Sequence, residues 1–500
     1  MPDAENQSTP AKSRLKGFSI VSSATVLSRF AGLARDMLMA ALFGTGWVLD
    51  TFTFAFRIPG TFRRLFGEGA MTAAFLPRFV DEDQTRGREA ASALFAAVAR
   101  QLTRWLGVIV VIAELMLLSI FVLTDLSERT RLLVELTMLM LPYSVLICVA
   151  ALHCAALNGV HHFRVPAMLP IVLNIIWLSG GLLAMYTLAT EVAQVRMIAV
   201  SVVAGGVLQL GIVARTSSRF GIGWKSGLLK DELRQRVADL FRQMGPVLFG
   251  LSITQLNVLI DSLLAWLLAL PAGDLPSWLD RFRLPEGTAS AIYLGQRLFQ
   301  FPLGVFGIAL GTVLFPRFAR HARSGNGKEL NRDILHGLQL VLVVGLPASA
   351  GLWLIAEPIT DLLFRRGAFG TEDAQLTSGM IGTYGVGVWV FCGLLILNRV
   401  FYAVGDQLTP VRQGLICVGL NLVLNVVLLP ILKESALPVA SVAATLFQLG
   451  LALEVLRRRF PAAGYAVYLP VVWRSVLGIA VMAACCFSNG SLVTNHCSNE

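Results

Sequence analysis

The chain has 500 residues, of which 55% are hydrophobic and only 14% are charged, and its mean hydropathy is +0.69. Soluble globular chains carry about 25% charged residues. Because apolar runs recur along the whole length, the composition excludes both a soluble domain and a soluble domain with one anchor. The net charge of +10 indicates basic loops facing anionic lipid, and we do not expect nucleic acid as a partner.

About thirteen membrane helices are predicted, because each span needs about 20 mainly apolar residues. The second is long and is interrupted by Pro59 and Gly60, which favour a kink. In chain order, the helices are expected near 18–42, 49–80, 93–123, 132–157, 166–188, 195–214, 242–270, 288–315, 335–356, 376–403, 411–431, 437–456 and 471–488.

Lys and Arg concentrate in alternate loops, which predicts a cytoplasmic N-terminus. The basic loops 215–242 and 317–332 and the run 457–459 then lie inside. This gives a cytoplasmic tail, a first lobe of helices 1–6, a linker with a short amphipathic helix from about Lys230, a second lobe of helices 7–12, and a last helix with a polar tail. The tail is expected at 1–17, the first lobe at 18–216, the linker at 217–237, the second lobe at 238–458, and the last helix with its polar tail at 459–500.

A short internal repeat supports this division. Residues 67–79 read GEGAMTAAFLPRF and residues 307–318 read GIALGTVLFPRF, so Pro-Arg-Phe recurs at Pro77 and Pro316. Each copy ends the second helix of a set of six, and an even number of spans per copy gives parallel repeats. The predicted fold class is therefore an all-α polytopic membrane protein with two six-helix lobes around a central cavity.

Four arginines lie inside apolar helices, namely Arg29, Arg35, Arg63 and Arg297. Each charge at the bilayer centre costs roughly 2.5–3.5 kcal/mol, so we expect them to line a polar cavity. Guanidinium pairs well with phosphate and carboxylate, so an arginine-rich cavity predicts a transporter of an acidic cargo. The plainer interpretation is that these side chains reach to the membrane interface.

Acidic and basic neighbours accompany these arginines in the first two helices. Asp36 is seven residues after Arg29 and shares its helix face. Arg64 and Glu68 are four residues apart and are expected to pair, either as part of the site or as a structural salt bridge.

No motif for enzyme chemistry is found in the sequence. The string Gly325-Asn326-Gly327-Lys328 lacks the spacing of a phosphate-binding loop, and no HExxH zinc motif occurs. The seven cysteines include no metal-binding CxxC pair. We therefore predict that the protein is not an enzyme and has no cofactor, apart from an ion gradient or membrane potential as its energy source.

A cation site is a further candidate. Asp261 is a lone carboxylate in an apolar helix, and such a residue is costly unless it has a function. Asn421 and Asn425 share one face of a later helix, as do Ser441 and Thr445 on the next. The plainer interpretation of these polar residues is hydrogen bonding between helices, which is common in membranes.

The chain resembles the MurJ/MviN family of lipid II flippases, within the MOP exporter superfamily. The resemblance is carried by SRFAGLARD from Ser28, FGTG from Phe43, RIPGTFRRLFGEGAMTAAFLPRF from Arg57, LNGVHHFRVPAMLPIVLN from Leu157, RLFQFPLGVFGIALGTVLFP from Arg297 and FYAVGDQLTPV from Phe401. It covers about residues 18–460 in register.

The resemblance implies that the protein moves lipid II, a polyprenyl diphosphate-linked peptidoglycan precursor, from the inner to the outer leaflet of the bacterial cytoplasmic membrane by alternating access. It implies that Arg29, Arg35, Arg63 and Arg297 bind the cargo, with Asp50 and Glu68 as acidic partners. Resemblance to some family members also implies a Na⁺ site formed by oxygen atoms of three helices, from Asp261, Asn421, Asn425, Ser441 and Thr445. A monomer is expected, with membrane lipids and cell-wall synthesis proteins as partners.

The sequence departs from the family pattern in two places. Gln296 precedes Arg297 where some members carry an acid. The last predicted helix is followed by a polar tail, where the family has a fourteenth helix, and the family's last two helices are thought to hold the lipid tail.

Four other functions differ in what they would require of the sequence. A flippase for a different polyprenyl-linked glycan would need the same arginines, whereas an arginine-rich cavity argues against an exporter of cationic drugs. A polyprenyl-phosphate enzyme would need a catalytic loop that is not found. A non-transporting scaffold for cell-wall synthesis predicts that neutral substitutions at Arg35 have no effect.

Overall fold

The computed structural model describes residues 9–224, 231–271, 273–460, 473, 478 and 479, with side chains omitted at 9–22, 67–68, 70–73, 231–232 and 246. The described chain is helical and divides into two compact units, Met1–Gln255 and Leu256–Glu500. The division falls inside one long helix, about 20 residues beyond the predicted linker.

Unit 1 contains the first eight α-helices and the beginning of the ninth. A π-helical segment, Arg63–Phe75, separates the second from the third. The helices are α1 (Thr9–Phe43), α2 (Trp47–Phe62), α3 (Leu76–Arg86), α4 (Arg88–Leu123), α5 (Glu128–Met140), α6 (Tyr143–Gly159), α7 (Arg164–Thr187), α8 (Glu191–Arg219) and α9 (Asp231–Leu268).

Unit 2 contains the end of α9 and eight further α-helices. Its described residues also include a π-helical segment, Leu303–Ile308, and two short 3₁₀ turns, Ser277–Phe282 and Lys433–Ser435. The helices are α10 (Thr288–Pro302), α11 (Ala309–Arg323), α12 (Gly327–Leu354), α13 (Ala356–Phe364), α14 (Thr371–Val386), α15 (Val388–Ala403), α16 (Leu408–Leu432) and α17 (Ala436–Arg459).

Each predicted membrane helix from 18–42 to 437–456 has a helical counterpart. The predicted helix 471–488 lies outside the described residues. Within the described part, eight stretches are long and apolar enough to cross a bilayer, or nine when the α14–α15 pair, bent by 44°, is counted as one. The first two helices, α1 and α2, are not among these stretches.

Two predicted boundaries differ from the structure. The amphipathic helix expected in the linker is the first part of α9, which runs without interruption from Asp231 into the apolar segment. Arg236 in this part forms an ion pair with Glu82 of α3. Such a pair stabilises a charged helix extension that hydropathy alone does not favour.

The interruption of the second predicted helix also lies elsewhere. The α-helix continues through Pro59 to Phe62, and the hydrogen bonding changes only at Arg63, where the π-helical segment begins. A second π-helical segment follows Pro302 in the corresponding helix of unit 2. Each lies shortly before one copy of Pro-Arg-Phe, so both units modify the same part of their second membrane helix.

Close helix packing in unit 1 depends on glycines of α8. A Cβ built on Gly206 would lie 2.4 Å from the ring of Tyr143, so only glycine fits at this contact. Small residues of this kind allow membrane helices to approach closely. The contact fixes α8 against α6, which also packs against the π-helical segment.

Candidate functional site

Arg35 lies inside unit 1 in a buried ion pair. Its Nη2 and Nε atoms donate to Asp36 Oδ1 at 2.7 and 3.1 Å, and both residues are at most 3% exposed. Its Nη1 donates to Asn174 Oδ1 of α7 at 3.1 Å, and the guanidinium lies 4.3 Å from the ring centroid of Trp177. A buried charge needs this degree of pairing, so Arg35 joins α1 to α7 and does not face lipid.

The other predicted arginines of unit 1 are more accessible. Arg29 is exposed on α1, and Arg63 is half-buried at the start of the π-helical segment. Arg64 donates to Gln255 Oε1 at 3.3 Å. The side chain of Glu68 lies outside the described residues, so its pairing with Arg64 remains a prediction.

Asp50, the other predicted acid, is buried in the first turn of α2. A carboxylate at this end of a helix is stabilised by the partial positive charge of the helix dipole. The guanidinium of Arg129 lies 5.6 Å from the ring of Trp47 at the same helix end. The location explains the burial of the Asp50 carboxylate by its effect on α2, in addition to its predicted role as an acidic partner of the arginines.

Arg297 belongs to unit 2 and is half-buried on α10. Its Nη2 donates to Tyr293 Oη at 3.2 Å, and its guanidinium lies 5.3 Å from the same ring. The preceding Gln296 donates through Nε2 to Tyr384 Oη at 3.1 Å. The position where some family members carry an acid is therefore a neutral contact between α10 and α14.

The predicted cation ligands of unit 2 come together around Asp261. Its Oδ1 accepts from Asn425 Nδ2 at 2.9 Å and its Oδ2 accepts from Ser441 Oγ at 2.8 Å. Asn421 contacts both neighbours, since its Oδ1 accepts from Asn425 Nδ2 at 3.0 Å and its Nδ2 lies 3.2 Å from Ser441 Oγ. Thr445 donates to the carbonyl of Ser441, one turn away.

The donor set of this cluster fits a hard cation. Turned by 180°, the Asn421 amide donates to Asp261 Oδ1 at 3.0 Å and accepts from Ser441 Oγ at 3.2 Å, so its hydrogen bonds are satisfied without an ion. The buried carboxylate oxygens of Asp261 are the charged acceptors of the cluster. The Oδ1 atom of Asn425 is buried without a hydrogen-bond donor in the described part of the chain. A cation would satisfy these acceptors, because Na⁺, like other hard ions, prefers oxygen ligands.

Three partners of the predicted residues were not identified from the sequence. Asn174 and Trp177 contact Arg35 from a helix far along the chain, and Tyr293 contacts Arg297. A lone amide in the apolar string PIVLNIIWL was a signal for Asn174, by the argument used for Asp261. Tyr293 is four residues before Arg297, so helix periodicity places both on one face.

Comparison with known proteins identifies consistent relatives. Residues 39–497 match the family described as lipid II flippase MurJ. The probable lipid II flippase MurJ of Rhizobium tropici is 34% identical over 438 residues, which is 86% of this chain and 79% of that protein. The lipid II flippase MurJ of Burkholderia cenocepacia is 29% identical over 479 residues, covering 94% and 89% of the two chains.

Solved structures show the same fold. A lipid II flippase MurJ in an inward closed conformation matches with a TM-score of 0.74 at 20% identity, covering 93% of this chain and 92% of that one. A multidrug resistance MATE transporter of the MOP superfamily, in an inward-facing conformation, matches with a TM-score of 0.65 at 14% identity, covering 88% and 97%.

Proposed function

The chain belongs to the lipid II flippase MurJ family, and from this premise we propose that it moves lipid II from the inner to the outer leaflet of the cytoplasmic membrane. The cargo carries a diphosphate, a disaccharide-peptide and a polyprenyl chain. Its diphosphate needs cationic groups, and its sugars need a wet path. Alternating access, with the N-terminus in the cytoplasm and the protein acting as a monomer, completes the proposal.

The accessible arginines support diphosphate binding. Arg29 is exposed, and Arg63, Arg64 and Arg297 are half-buried. Guanidinium presents paired N–H donors that match phosphate oxygens, and it keeps its charge in a poorly hydrated site. These four residues are therefore the groups that we propose to contact the diphosphate, whereas Arg35 is committed to Asp36 in this conformation.

Genetic complementation tests the proposal. The chain is expressed in a bacterium depleted of its own lipid II flippase, beside Arg297→Ala, Arg63→Ala and the control Arg320→Ala, which lies at the end of α11. We expect rescue by the wild type and the control, and loss with the other two. Losing one charged hydrogen bond costs ~1.5–3 kcal/mol, or about 10-fold or more in affinity.

Two results would count against lipid II transport by these arginines. One is full rescue by Arg297→Ala at equal membrane levels. The other is absence of rescue by a well-inserted wild type, which would favour another polyprenyl-linked glycan as cargo. Measuring lipid II accessibility in the outer leaflet separates transport from a scaffolding role, since a scaffold would restore growth without changing that accessibility.

We also propose that unit 2 binds Na⁺ through Asp261, Asn421, Asn425 and Ser441, with Thr445 supporting Ser441. The buried carboxylate of Asp261 and the buried Asn425 Oδ1 support this assignment. A bound cation would supply coupling to an ion gradient. The carboxylate of Asp261 holds the amides and the hydroxyl of α16 and α17 in place around it.

Thermal unfolding of the purified chain tests the cation site. The Tm is measured in sodium chloride and in choline chloride at equal ionic strength. A ligand that binds only the folded state raises Tm, so we expect a higher Tm in sodium for the wild type and no difference for Asp261→Asn. A sodium effect that persists in Asp261→Asn would contradict the assignment.

A further inference from the structure

Asp36 and Asp261 occupy equivalent positions in α1 and α9. Each lies seven residues before the last residue of its helix, Phe43 or Leu268. The surrounding segments, LARDMLMAAL and VLIDSLLAWL, share four residues in register. The shared pairs are Asp36 with Asp261, Leu38 with Leu263, Ala40 with Ala265, and Leu42 with Leu267.

A buried asparagine stands beside each aspartate. In unit 1, the Nδ2 atom of Asn174 lies 3.6 Å from the position that a Cβ on Gly32 would take. In unit 2, the amide of Asn421 lies 3.3 Å from Asn257 Oδ1. Gly32 and Asn257 both precede their aspartate by four residues, so Asn174 and Asn421 are equivalent too.

The residue immediately before the aspartate differs in charge. In unit 1 it is Arg35, whose guanidinium donates both to Asn174 Oδ1 and to the carboxylate. In unit 2 it is Ile260, so the position that carries the guanidinium in unit 1 carries an apolar side chain beside Asp261. The positive charge that neutralises the aspartate of unit 1 thus has no counterpart at this position in unit 2.

Helices α8 and α17, which correspond to the sixth predicted membrane helix of each lobe, also differ in their polar side chains. Residues 203–211 of α8 and 442–450 of α17 share Val-Ala and Gln-Leu-Gly in register, with the spacing that separates the two copies of Pro-Arg-Phe. On this alignment, the hydroxyl-bearing residues of unit 2 are replaced in unit 1 by residues without side-chain oxygen. The replacements are Val202 for Ser441 and Gly206 for Thr445.

We propose that Arg35 is the tethered counterpart, in unit 1, of the exchangeable cation bound by unit 2, an inference that rests on the cation site proposed above. Arg35 neutralises Asp36 and holds α1 to α7 in this structure, as a bound cation would. Unit 1 needs no additional oxygen ligands from α8, because its cation is the guanidinium of Arg35. Without Arg35, Asp36 and Asn174 form a latent site for a monovalent cation.

The first test transfers the tethered cation to unit 2. In Ile260→Arg, the new guanidinium takes the place of Na⁺ beside Asp261. We expect the purified variant to unfold in choline chloride at no lower Tm than the wild type does in sodium chloride, and its Tm to be independent of sodium. A variant that keeps the sodium effect, or that unfolds several degrees below the wild type in both salts, would overturn the inference.

The second test opens the latent site of unit 1. Asp261→Asn removes the sodium response of unit 2, and Arg35→Ile is added to copy Ile260. We expect the double variant to have a lower Tm in choline and to regain several degrees in sodium, and further substitution of Asp36→Asn to abolish that gain. A folded double variant whose Tm does not respond to sodium would overturn the inference.

Failure of the inference is distinguishable from failure of the proposals on which it depends. A wild-type Tm independent of sodium would reject the cation site of unit 2, and the tethered counterpart with it. A sodium-dependent wild type with an unresponsive Arg35→Ile, Asp261→Asn variant would reject only the role of Arg35. Neither readout uses lipid II, so both are separate from the complementation result.

Discussion

At the scale of single residues, buried polar groups were predicted only where they are conspicuous in an apolar helix. Asp261 is a lone carboxylate, helix periodicity predicted the shared faces of its asparagine and serine partners, and the family resemblance connected them with it. The surroundings of Arg35 were not predictable in the same way. Asn174 and Trp177 lie on α7, and no local spacing connects them with α1.

Trp177 is the residue on which the environment of Arg35 most depends. Trp177→Leu removes the ring beneath the guanidinium and the N–H that donates to Met39 Sδ. Loss of the cation–π contact and of aromatic packing should destabilise unit 1 by about 2 kcal/mol or more. We expect a lower Tm for this variant, and almost no change for Trp278→Leu, whose ring is 70% exposed. Equal Tm values for the two variants would contradict this role.

At the scale of elements, apolar runs predicted the existence of the helices but not their internal breaks. The turn between α5 and α6, the bend between α14 and α15 and the second π-helical segment lie inside apolar runs, and the first π-helical segment begins at Arg63 rather than at Pro59. Such breaks are set by packing against neighbouring helices, which periodicity does not contain. The amphipathic helix expected from about Lys230 was found, but its continuation into the apolar segment as one helix, α9, was not predicted, since its partner Glu82 is on another helix.

The packing of α8 against α6 should be sensitive to one methyl group. In Gly206→Ala, the new Cβ would clash with the rigid ring of Tyr143, and overpacking of this kind costs roughly 1–3 kcal/mol. Gly211→Ala on the same helix has open space and is the matched control. We expect Tm to fall only in the first variant. A fall in both would indicate a general intolerance of α8 to alanine.

The loop before α16 should give the protein a pH-dependent stability. Burial alone would raise the pKa of Asp406, but hydrogen bonds from Thr409 and Arg459 outweigh it and lower that pKa. The stabilisation is therefore complete above the unfolded pKa of about 3.9 and is lost as pH falls through the lower folded value.

Unfolding at several pH values measures this contribution. At pH 7, Asp406→Asn should have a lower Tm than the wild type, and the difference should shrink as pH falls below about 4. Asp125→Asn, at an exposed position between α4 and α5, should have the same Tm as the wild type throughout. A difference at Asp406 that is constant with pH would show that charge is not its cause.

At the scale of the whole molecule, the duplication was visible from a single repeated tripeptide. The structure adds a π-helical segment in the second membrane helix of each unit and equivalent aspartate, asparagine and glutamine positions. The asparagine equivalence was not evident from the sequence, because the two copies have diverged in length between their helices. It is the contacts of Asn174 and Asn421 that identify them as partners in the repeat.

Orientation in the membrane is testable at the same scale. A cytoplasmic N-terminus places the loop between α11 and α12 inside and the loop between α4 and α5 outside. A thiol reagent that does not cross membranes should label Asp125→Cys in intact cells, and Ser324→Cys only after permeabilisation. Both positions are exposed. The reverse labelling pattern would invert the proposed topology.

The paired π-helical segments have a consequence for how a membrane helix can change without breaking. Each return from i→i+5 to i→i+4 bonding turns the residues beyond it by about 100°, the angle between successive residues of an α-helix. The backbone groups exchange partners one at a time, so none is left bare in hydrocarbon. A change from π-helical to α-helical bonding in the segments after Phe62 and Pro302 would therefore rotate the Pro-Arg-Phe end of each helix while its other end stays fixed.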